Sequence, residues 1–233
     1  MKRILLGWWL ALFAATALTA QSYPDYKTTT VNDFAGIIDD ATQQEITRQL
    51  RDLRQETGVE VTVVNLLNKA TYTPNETLEK FATGLFNYWS VGDAERNDGV
   101  MFLILRQDRE VRIELGRAFH RDWDRAAARV LDNEVLPEFR ENRYSQGIHR
   151  GVNGIINDIV RPYLDGAEPP RNGSGGLWPL LLVTVPMGLV VRCTNCDDAD
   201  ETTYMIAKLR KKTRSSSSFG GGSSGGGRAS GRW

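Results

Sequence analysis

The six residues Val100–Leu105 (VMFLIL) constrain the fold most strongly, because they form a continuous apolar run without a polar position. Such a run is expected of a central β-strand that is covered on both faces. A polar turn at Arg106–Arg109 follows, and Glu110–Leu115 then alternates apolar and polar residues. The two segments predict a hairpin within a covered sheet. Arg112 and Glu114 fall on one face of its second strand, where they either pair with each other or are solvated.

Amphipathic segments before and after this hairpin predict helices on both sides of the sheet. Apolar positions at helical spacing predict helices at Ala41–Thr57, Glu76–Trp89, Trp123–Leu136 and Tyr144–Leu164. Asp39 or Asp40 is expected to cap the first helix, and Pro137 is expected to end the third. Val59–Leu67 predicts a further strand, which follows an extended lead. Helices around about four strands indicate an α/β sandwich with a central mixed sheet.

Both ends of the chain differ from this body in composition. Residues 1–20 combine a basic start with an apolar stretch and small residues, which indicates a secretory signal peptide, with an uncleaved anchor as the alternative. The domain is then expected to occupy residues 21–168, followed by a Gly-rich linker at 169–176. Leu177–Val191 is an apolar-dominated segment of 15 residues. It predicts one C-terminal transmembrane helix, and a buried or interfacial segment is the alternative.

Residues 192–233 are predicted to form a cytoplasmic tail. Basic residues follow the apolar segment at Leu177–Val191, and the positive-inside rule retains such residues in the cytoplasm. The domain is then expected outside the cytoplasm, as the predicted signal peptide also indicates. Ser215–Gly231 is a low-complexity Gly/Ser run with too little apolar surface to fold alone. We therefore expect a disordered tail.

The charge of the body limits the classes of partner. The whole chain has 29 basic and 29 acidic residues, but residues 21–191 hold 19 basic and 25 acidic ones, a net charge of −6. An acidic body argues against nucleic acid as the main partner. Residues 21–191 also contain no cysteine, so neither a disulfide framework nor a thiol nucleophile is expected there.

Few residues are candidates for chemistry, because the motifs of the common nucleotide, zinc-protease and serine-hydrolase sites are absent from the sequence. Asp33 lies in a short loop between apolar anchors, and Asn97 and Asp98 immediately precede the central strand. Their oxygens suit a hard cation such as Ca²⁺ or Mg²⁺, and turn capping is the alternative. His120 and His149 lack Cys or His neighbours at metal spacing. We expect the first in a surface loop and the second half-buried.

Several of these segments resemble the TPM family, which is named for a thylakoid lumen protein, a photosystem II repair protein and a worm receptor modulator. The similar segments are Val31–Gly36 (VNDFAG), Thr57–Val64 (TGVEVTVV), Asn97–Leu105 (NDGVMFLIL), Arg109–Gly116 (REVRIELG) and Asp132–Gly154. No single segment is highly specific, but their order and spacing extend the resemblance over about residues 25–165. The resemblance implies an α/β sandwich with a central sheet between helices.

The resemblance also implies candidate sites. Some plant members are described as calcium-associated acid phosphatases that support photosystem repair. This implies that Asp33 and Asp98, with Asn97 beside them, face an ion- or phosphate-binding cleft. Similar bacterial proteins carry two CxxC pairs in the tail, and Cys193 and Cys196 resemble the second pair. Structural zinc requires four ligands, so this pair is interpreted as a remnant of a zinc knuckle, with a zinc shared by two chains as the alternative.

Two functions are consistent with these features. Bacterial members that the chain resembles share its predicted layout of signal peptide, TPM domain, Gly-rich linker, one span and Gly/Ser-rich tail. The first function is non-enzymatic: a membrane-tethered, extracytoplasmic domain that binds an envelope protein and assists membrane-protein maintenance. The second is a Ca²⁺- or Mg²⁺-dependent acid phosphatase that uses Asp33 and Asp98. The first is favoured, because the sequence identifies no nucleophile.

Overall fold

A five-stranded mixed β-sheet forms the centre of the fold. The computed structural model describes residues 23–167, 169 and 218–233. The strands are β1 (Val31–Asp33), β2 (Val61–Leu66), β3 (Val100–Leu105), β4 (Glu110–Gly116) and β5 (Ser224–Arg232). They lie side by side in chain order; β1, β2 and β3 are parallel, and β4 is antiparallel to both β3 and β5. The predicted α/β fold with a mixed sheet flanked by helices is confirmed.

Helices pack on both faces of this sheet. They are α1 (Asp40–Thr57), α2 (Leu78–Trp89), α3 (Asp124–Val130), α4 (Leu136–Arg140), α5 (Tyr144–Gly154) and α6 (Arg161–Leu164). Asp39 caps α1 as predicted, because its carboxylate accepts the N–H of Thr42 at 2.9 Å. This hydrogen bond is the largest of the effects that lower the pKa of Asp39 to about 2. The Thr77 hydroxyl caps α2 in the same way, through the N–H of Lys80.

Two π-helical segments lie directly before α4 and α6. Leu131–Val135 joins α3 to α4, and Ile155–Val160 joins α5 to α6. Pro137 and Pro162 then occupy the first turn of the following helix. A proline has no N–H, and its ring clashes with the carbonyl one α-turn earlier, so the wider π-turn accommodates it. The expectation that Pro137 ends the helix is therefore wrong, because the helix continues to Arg140.

Apolar side chains cover the two faces of the sheet in two separate clusters. On one face, α1 and the helices after β4 pack on strand residues such as Val63, Phe102 and Ile113. On the other face, α2 packs on strand residues such as Val64 and Leu103. Every side chain of β3 is buried. This is the result expected of a central strand that is apolar at all positions.

The predicted disorder of the tail is wrong for residues 218–233. Part of this segment forms β5, which pairs with β4 and places Arg232 opposite Glu110. The segment has too little apolar surface to fold alone, but the edge of β4 offers it a row of backbone donors and acceptors. A fifth strand therefore joins the four that the body of the chain supplies. We call residues 218–233 the tail segment.

Several sequence predictions concern residues that the structure does not describe. These are the signal peptide at 1–20, most of the linker at 169–176, the apolar segment Leu177–Val191, and Cys193 and Cys196. Within residues 23–167 and 218–233, no helix has both the length and the apolar character needed to cross a membrane.

Candidate functional site

Asp33 ends β1, at the carboxyl ends of the three parallel strands. Its Oδ2 accepts the N–H groups of Ile37 and Ile38, each at 2.9 Å, so this residue caps a turn. Its Oδ1 is buried without a hydrogen-bond partner among the described residues. Asn65, its neighbour on β2, is fully buried, and neither its Oδ1 nor its Nδ2 has a partner in the same part of the chain. Two adjacent strands therefore present unsatisfied polar atoms at the carboxyl end of the parallel strands.

Asn97 and Asp98 lie at the opposite end of the sheet, just before β3. Asp98 is only 2% exposed, and its Oδ2 is 3.1 Å from Nε of Arg96. Burial raises the pKa of Asp98 above its usual value, and the charge of Arg96 opposes this effect. Asn97 Oδ1 accepts hydrogen bonds from the backbone N–H and the hydroxyl of Ser223, both at 2.9 Å. The side chain of Asn97 thus binds the tail segment.

The structure does not bring the three predicted cation ligands together. Asp33 is level with Ile104, because Asp33 pairs with Asn65 and Asn65 pairs with Ile104. Asp98 lies six positions before Ile104 in the chain, which corresponds to about 20 Å along a strand. Among the residues that the structure describes, no group of three or more His, Cys, Asp or Glu side chains could hold a metal. Cation binding at Asp33 stays a prediction.

The two histidines have the structural roles expected of them. His120 is exposed and directly precedes a short 3-10 helix. His149 is half-buried on α5, with Nε2 at 3.3 Å from Oε1 of Glu45 and 3.4 Å from Nδ2 of Asn153. Both positions agree with the surface-loop and half-buried environments predicted from the sequence.

The best-defined polar site is a row of three buried charged side chains on one face of β4, here called the β4 charged row. Glu110, Arg112 and Glu114 are 3%, 2% and 2% exposed. Arg112 Nε is 2.7 Å from Glu114 Oε2, and its Nη1 is 3.8 Å from Glu79 of α2. The Thr83 hydroxyl, also on α2, donates to Glu114 Oε1 at 2.9 Å. Of the two alternatives for Arg112 and Glu114, the structure therefore shows pairing.

Both ends of the β4 charged row contact β5. At one end, the hydroxyl of Ser224 donates to Glu114 Oε1. At the other end, Glu110 forms an ion pair with Lys69 at 2.7 Å and a second with the guanidinium of Arg232, whose Nε is 3.1 Å away. The row therefore connects the tail segment to charged and polar groups of the body.

The charges around Glu110 affect its protonation. Burial raises the pKa of Glu110, but the hydrogen bonds and charges of Lys69 and Arg232 together outweigh burial, so its pKa lies below the usual value. Burial lowers the pKa of Lys69, but Glu110 and Asp108 together raise it above the usual value. A cleft of about 610 Å³ opens beside these groups, between the start of α2 and the end of β5. At neutral pH this cleft therefore has fixed charges of both signs at its wall.

The start of the tail segment docks against the end of α2 and the loop that follows it. Phe219 stacks on Trp89 with ring centroids 6.0 Å apart and an interplanar angle of 16°. It also meets the ring of Tyr26 edge-on, at 4.8 Å. The backbone N–H of Gly222 donates to the carbonyl of Gly92 at 2.7 Å. An aromatic anchor and backbone hydrogen bonds thus hold this end.

The far end of the tail segment has a second aromatic anchor. The ring of Trp233 packs edge-on against Phe139, with centroids 4.7 Å apart, and lies 6.2 Å from the ring of Tyr144. Its backbone N–H donates to the carbonyl of Arg109 at 3.4 Å. We call the surface that holds the tail segment the tail groove: the edge of β4, the loop after α2, and the rings of Phe139 and Tyr144.

The tail groove has the features of a peptide-binding surface. In β-strand addition, main-chain hydrogen bonds to a sheet edge provide affinity, and pockets for side chains provide specificity. The edge of β4 supplies the main-chain hydrogen bonds. The ends of the β4 charged row and the two aromatic contacts supply the side-chain contacts. The geometry therefore supports binding of an extended segment.

Sequence reasoning identified residues of this site without identifying the site. Asn97 was singled out as a cation ligand, but it binds the tail segment. Two signals could have indicated the groove. Every polar position of β4 is charged, and the Gly/Ser run of the tail is bracketed by Phe219 and Trp233. Aromatic residues at both ends of such a run are more typical of a bound segment than of a free one.

Comparisons with known proteins give one matching family model and several similar solved structures. A family model described as TPM domain matches residues 31–158, which is more than half of the chain. A solution structure of the N-terminal domain of a protein from P. gingivalis has 26% identity, a TM-score of 0.49, and covers 62% of this chain and 88% of its own. The solution structure of the N-terminal domain of the cg2496 protein from Corynebacterium glutamicum has 14% sequence identity to this chain and a TM-score of 0.42. The match covers 58% of this chain and 82% of that domain. No match was found among the curated proteins. On the evidence of the matched residues 31–158, the chain belongs to the TPM domain family.

Proposed function

We propose that this chain is an extracytoplasmic, membrane-tethered accessory protein whose TPM domain binds envelope proteins by β-strand addition in the tail groove. Its role would be in membrane-protein maintenance. The observation that carries the binding function is the pairing of β4 with β5, which is separated from it by the 107 residues 117–223. An edge that accepts one extended segment from so distant a part of the chain has the geometry to accept another.

The proposed location is supported by the sequence at the two ends of the domain. Residues 1–20 have the pattern of a signal peptide, and Leu177–Val191 has the composition of a membrane segment. Pairing of β5 with β4 of the same chain requires the tail segment and the domain to lie on one side of the membrane. Attachment through Leu177–Val191 as an interfacial segment keeps both on the side of the domain, so that a partner has to displace the tail segment, whereas a single crossing would separate them and leave the β4 edge open.

A peptide with the sequence of residues 218–233 tests the binding function. We would add it, fluorescently labelled, to the full chain carrying Arg232→Glu and Trp233→Ala, here called the weakened-tail chain. We expect saturable binding measured by fluorescence anisotropy. The apparent affinity for the wild-type chain should be lower by about tenfold or more, because its own tail segment competes for the groove.

A chain with Leu164→Ala, a substitution at an exposed position outside the groove, is the matched control. Its affinity for the peptide should equal that of the wild-type chain. If the peptide fails to bind the weakened-tail chain even at millimolar concentration, the β4 edge is not a binding surface for added segments and the proposal is wrong.

A Ca²⁺- or Mg²⁺-dependent acid phosphatase is the second proposed function. It is favoured by the unsatisfied buried atoms of Asp33 and Asn65. They lie at the carboxyl ends of parallel strands, where ligands of open α/β sheets bind. Carboxylate and amide oxygens suit a hard cation. Since the sequence identifies no nucleophile, cation binding is the first step to test, by titrating Ca²⁺ into chains with and without Asp33→Asn.

A further inference from the structure

We infer that the tail groove is selective, and that its partner is a protein segment with the residue pattern of the chain's own tail segment. That pattern is an aromatic residue, a Gly/Ser run with glycine at fixed positions, and an Arg–Trp pair. The inference rests on the proposed binding function and defines the chemistry of the partner. Steric fit, charge and aromatic packing each restrict the segments that fit.

At least two positions of the bound segment, 222 and 231, leave little room for a side chain. A Cβ atom at position 222 would lie 2.9 Å from the carbonyl carbon of Gly92, and closer still to the carbonyl oxygen of Val91. A Cβ atom at position 231 would lie 3.0 Å from Cδ1 and 3.2 Å from Cδ2 of the buried Leu136. Backbone atoms do not move aside easily, so Gly222 is required. Gly231 can be replaced by alanine at most, because core packing around Leu136 is dense.

The acidic ends of the β4 charged row restrict the charge of the bound segment. Glu114 accepts a hydrogen bond from Ser224, and Glu110 pairs with Arg232. An acidic residue at position 232 would place a like charge beside the buried carboxylate of Glu110. The side chain of Arg232 is 79% exposed, and exposed ion pairs contribute little to affinity. The Glu110–Arg232 pair therefore contributes more to the choice between segments than to the affinity for the tail segment.

The two aromatic anchors fix the length of the segment. Phe219 and Trp233 are 14 positions apart, so a partner must present two rings at that spacing to contact Trp89 and Phe139 together. The Nε1 of Trp233 is buried without a hydrogen-bond partner among the described residues. Ring packing, not the indole N–H, therefore anchors this end. Phenylalanine should replace Trp233 with little loss, whereas alanine should not.

The chain's own tail segment sets a threshold for any partner. Residues 168–217 tether it to the domain, and a tethered ligand has an effective concentration up to about the millimolar range. A free segment at a lower concentration displaces it only by making contacts at least as good. A Gly/Ser-rich segment without the Arg–Trp pair cannot meet that condition. The tail segment thus excludes unspecific strands from the β4 edge.

A series of labelled peptides tests this selectivity on the weakened-tail chain. Relative to the peptide of residues 218–233, we expect about tenfold or weaker binding for peptides with Gly222→Ala, Gly231→Val or Trp233→Ala. Peptides with Trp233→Phe or with Ser230→Ala, at an exposed position of β5, should bind within about threefold of it. Peptide variants avoid the question of whether a protein variant folds.

A charge exchange isolates the role of Glu110. In a chain with Glu110→Arg, whose own tail segment is weakened by Gly231→Val and Trp233→Ala instead of Arg232→Glu, the preference should invert, so that the peptide with Arg232→Glu binds better than the unchanged one. Thermal unfolding shows whether that chain folds, and the peptide series decides the question if it does not. Size-exclusion chromatography of the wild-type chain is run at the same concentrations. A dimer in which two copies exchange their tail segments would identify the occupant as a second copy and overturn the proposed binding of another envelope protein.

The remaining outcomes separate the two proposals. If the unchanged peptide binds and a scrambled peptide of the same composition binds equally well, β-strand addition stands and the inferred selectivity is wrong. If no peptide binds the weakened-tail chain, the proposed function itself fails. Selective binding of the unchanged, Trp233→Phe and Ser230→Ala peptides is the result expected here.

Discussion

At the scale of single residues, neighbours in the sequence have different roles in this protein. Asn97 contacts the tail segment through its amide, whereas Asp98 is buried beside Arg96. Their polarity and their position before β3 were evident from the sequence. Their distance from Asp33 depends on strand direction: in parallel strands, the last residue of β1 and a residue that precedes β3 lie at opposite ends of the sheet. Pattern alone identified the polar residues, and topology decided which of them are neighbours.

This separation gives a residue-scale prediction about cation binding. Replacing Asp33 by asparagine should weaken Ca²⁺ or Mg²⁺ binding by about tenfold or more, because it removes the carboxylate charge that attracts the ion. Asp98→Asn, about 20 Å away along the strand direction, should leave binding unchanged. Isothermal titration calorimetry on the full chain measures both. Equal loss in the two variants would mean that the site is not the one at the end of β1.

At the scale of elements, the sequence predicted the strands and helices that have a periodic apolar pattern. Strand β3 and helix α2 were predicted to within two residues of their observed bounds. Strand β5 could not be predicted in this way, because its nine residues (SGGGRASGR) carry no strand-like alternation. Its conformation is imposed by the β4 edge, 107 residues earlier in the chain. The composition of a segment indicates whether it folds by itself, whereas β5 forms by pairing with β4.

The contact between β5 and Glu110 predicts that acid weakens the binding of the tail segment. The pKa of Glu110 is lowered in the folded state, so its ionised form stabilises that state above its ordinary pKa of about 4.3. This stabilisation is lost as the pH falls through the lowered value. Nuclear magnetic resonance of β5 amides from about pH 7 to about pH 3 should show a larger unbound fraction of the tail segment in the acidic part of this range.

A chain with Glu110→Gln is the control for that titration. Its tail segment should be bound more weakly at neutral pH, and its release should lose most of its dependence on acid because the titrating group is absent. An unchanged acid transition in this variant would assign the effect to another carboxylate near the groove, such as Asp124, which accepts the backbone N–H of Arg228.

At the scale of the whole molecule, strand pairing and membrane topology constrain each other. A chain with β5 bound to its own β4 has the tail segment and the domain in one compartment. The sequence pattern of Leu177–Val191 predicts instead a crossing that places them in two compartments. Both arrangements cannot occur in one chain at the same time. Whether Leu177–Val191 crosses the membrane therefore decides whether the groove is occupied by the chain itself.

The chain's only two cysteines, Cys193 and Cys196, allow a direct measurement because they lie between the apolar segment and the tail segment. We expect a membrane-impermeant maleimide to label them from the side on which the domain lies, as the pairing of β5 requires. The reference is a chain with both cysteines replaced by serine and Leu67→Cys at an exposed position of the domain. Labelling from the opposite side would establish the crossing, and with it an open β4 edge in the tethered protein.

The position of β5 at the end of the chain also determines when the sheet can be completed during synthesis. Ribosomes add about 5–20 residues per second, so the 107 residues between β4 and β5 take roughly 5–20 s to synthesise. During that interval β1 to β4 can assemble, but the outer side of β4 has no strand beside it. Each new copy therefore passes through a stage at which its sheet is one strand short, and a chaperone or neighbour that pairs with β4 at this stage has no tail segment to displace.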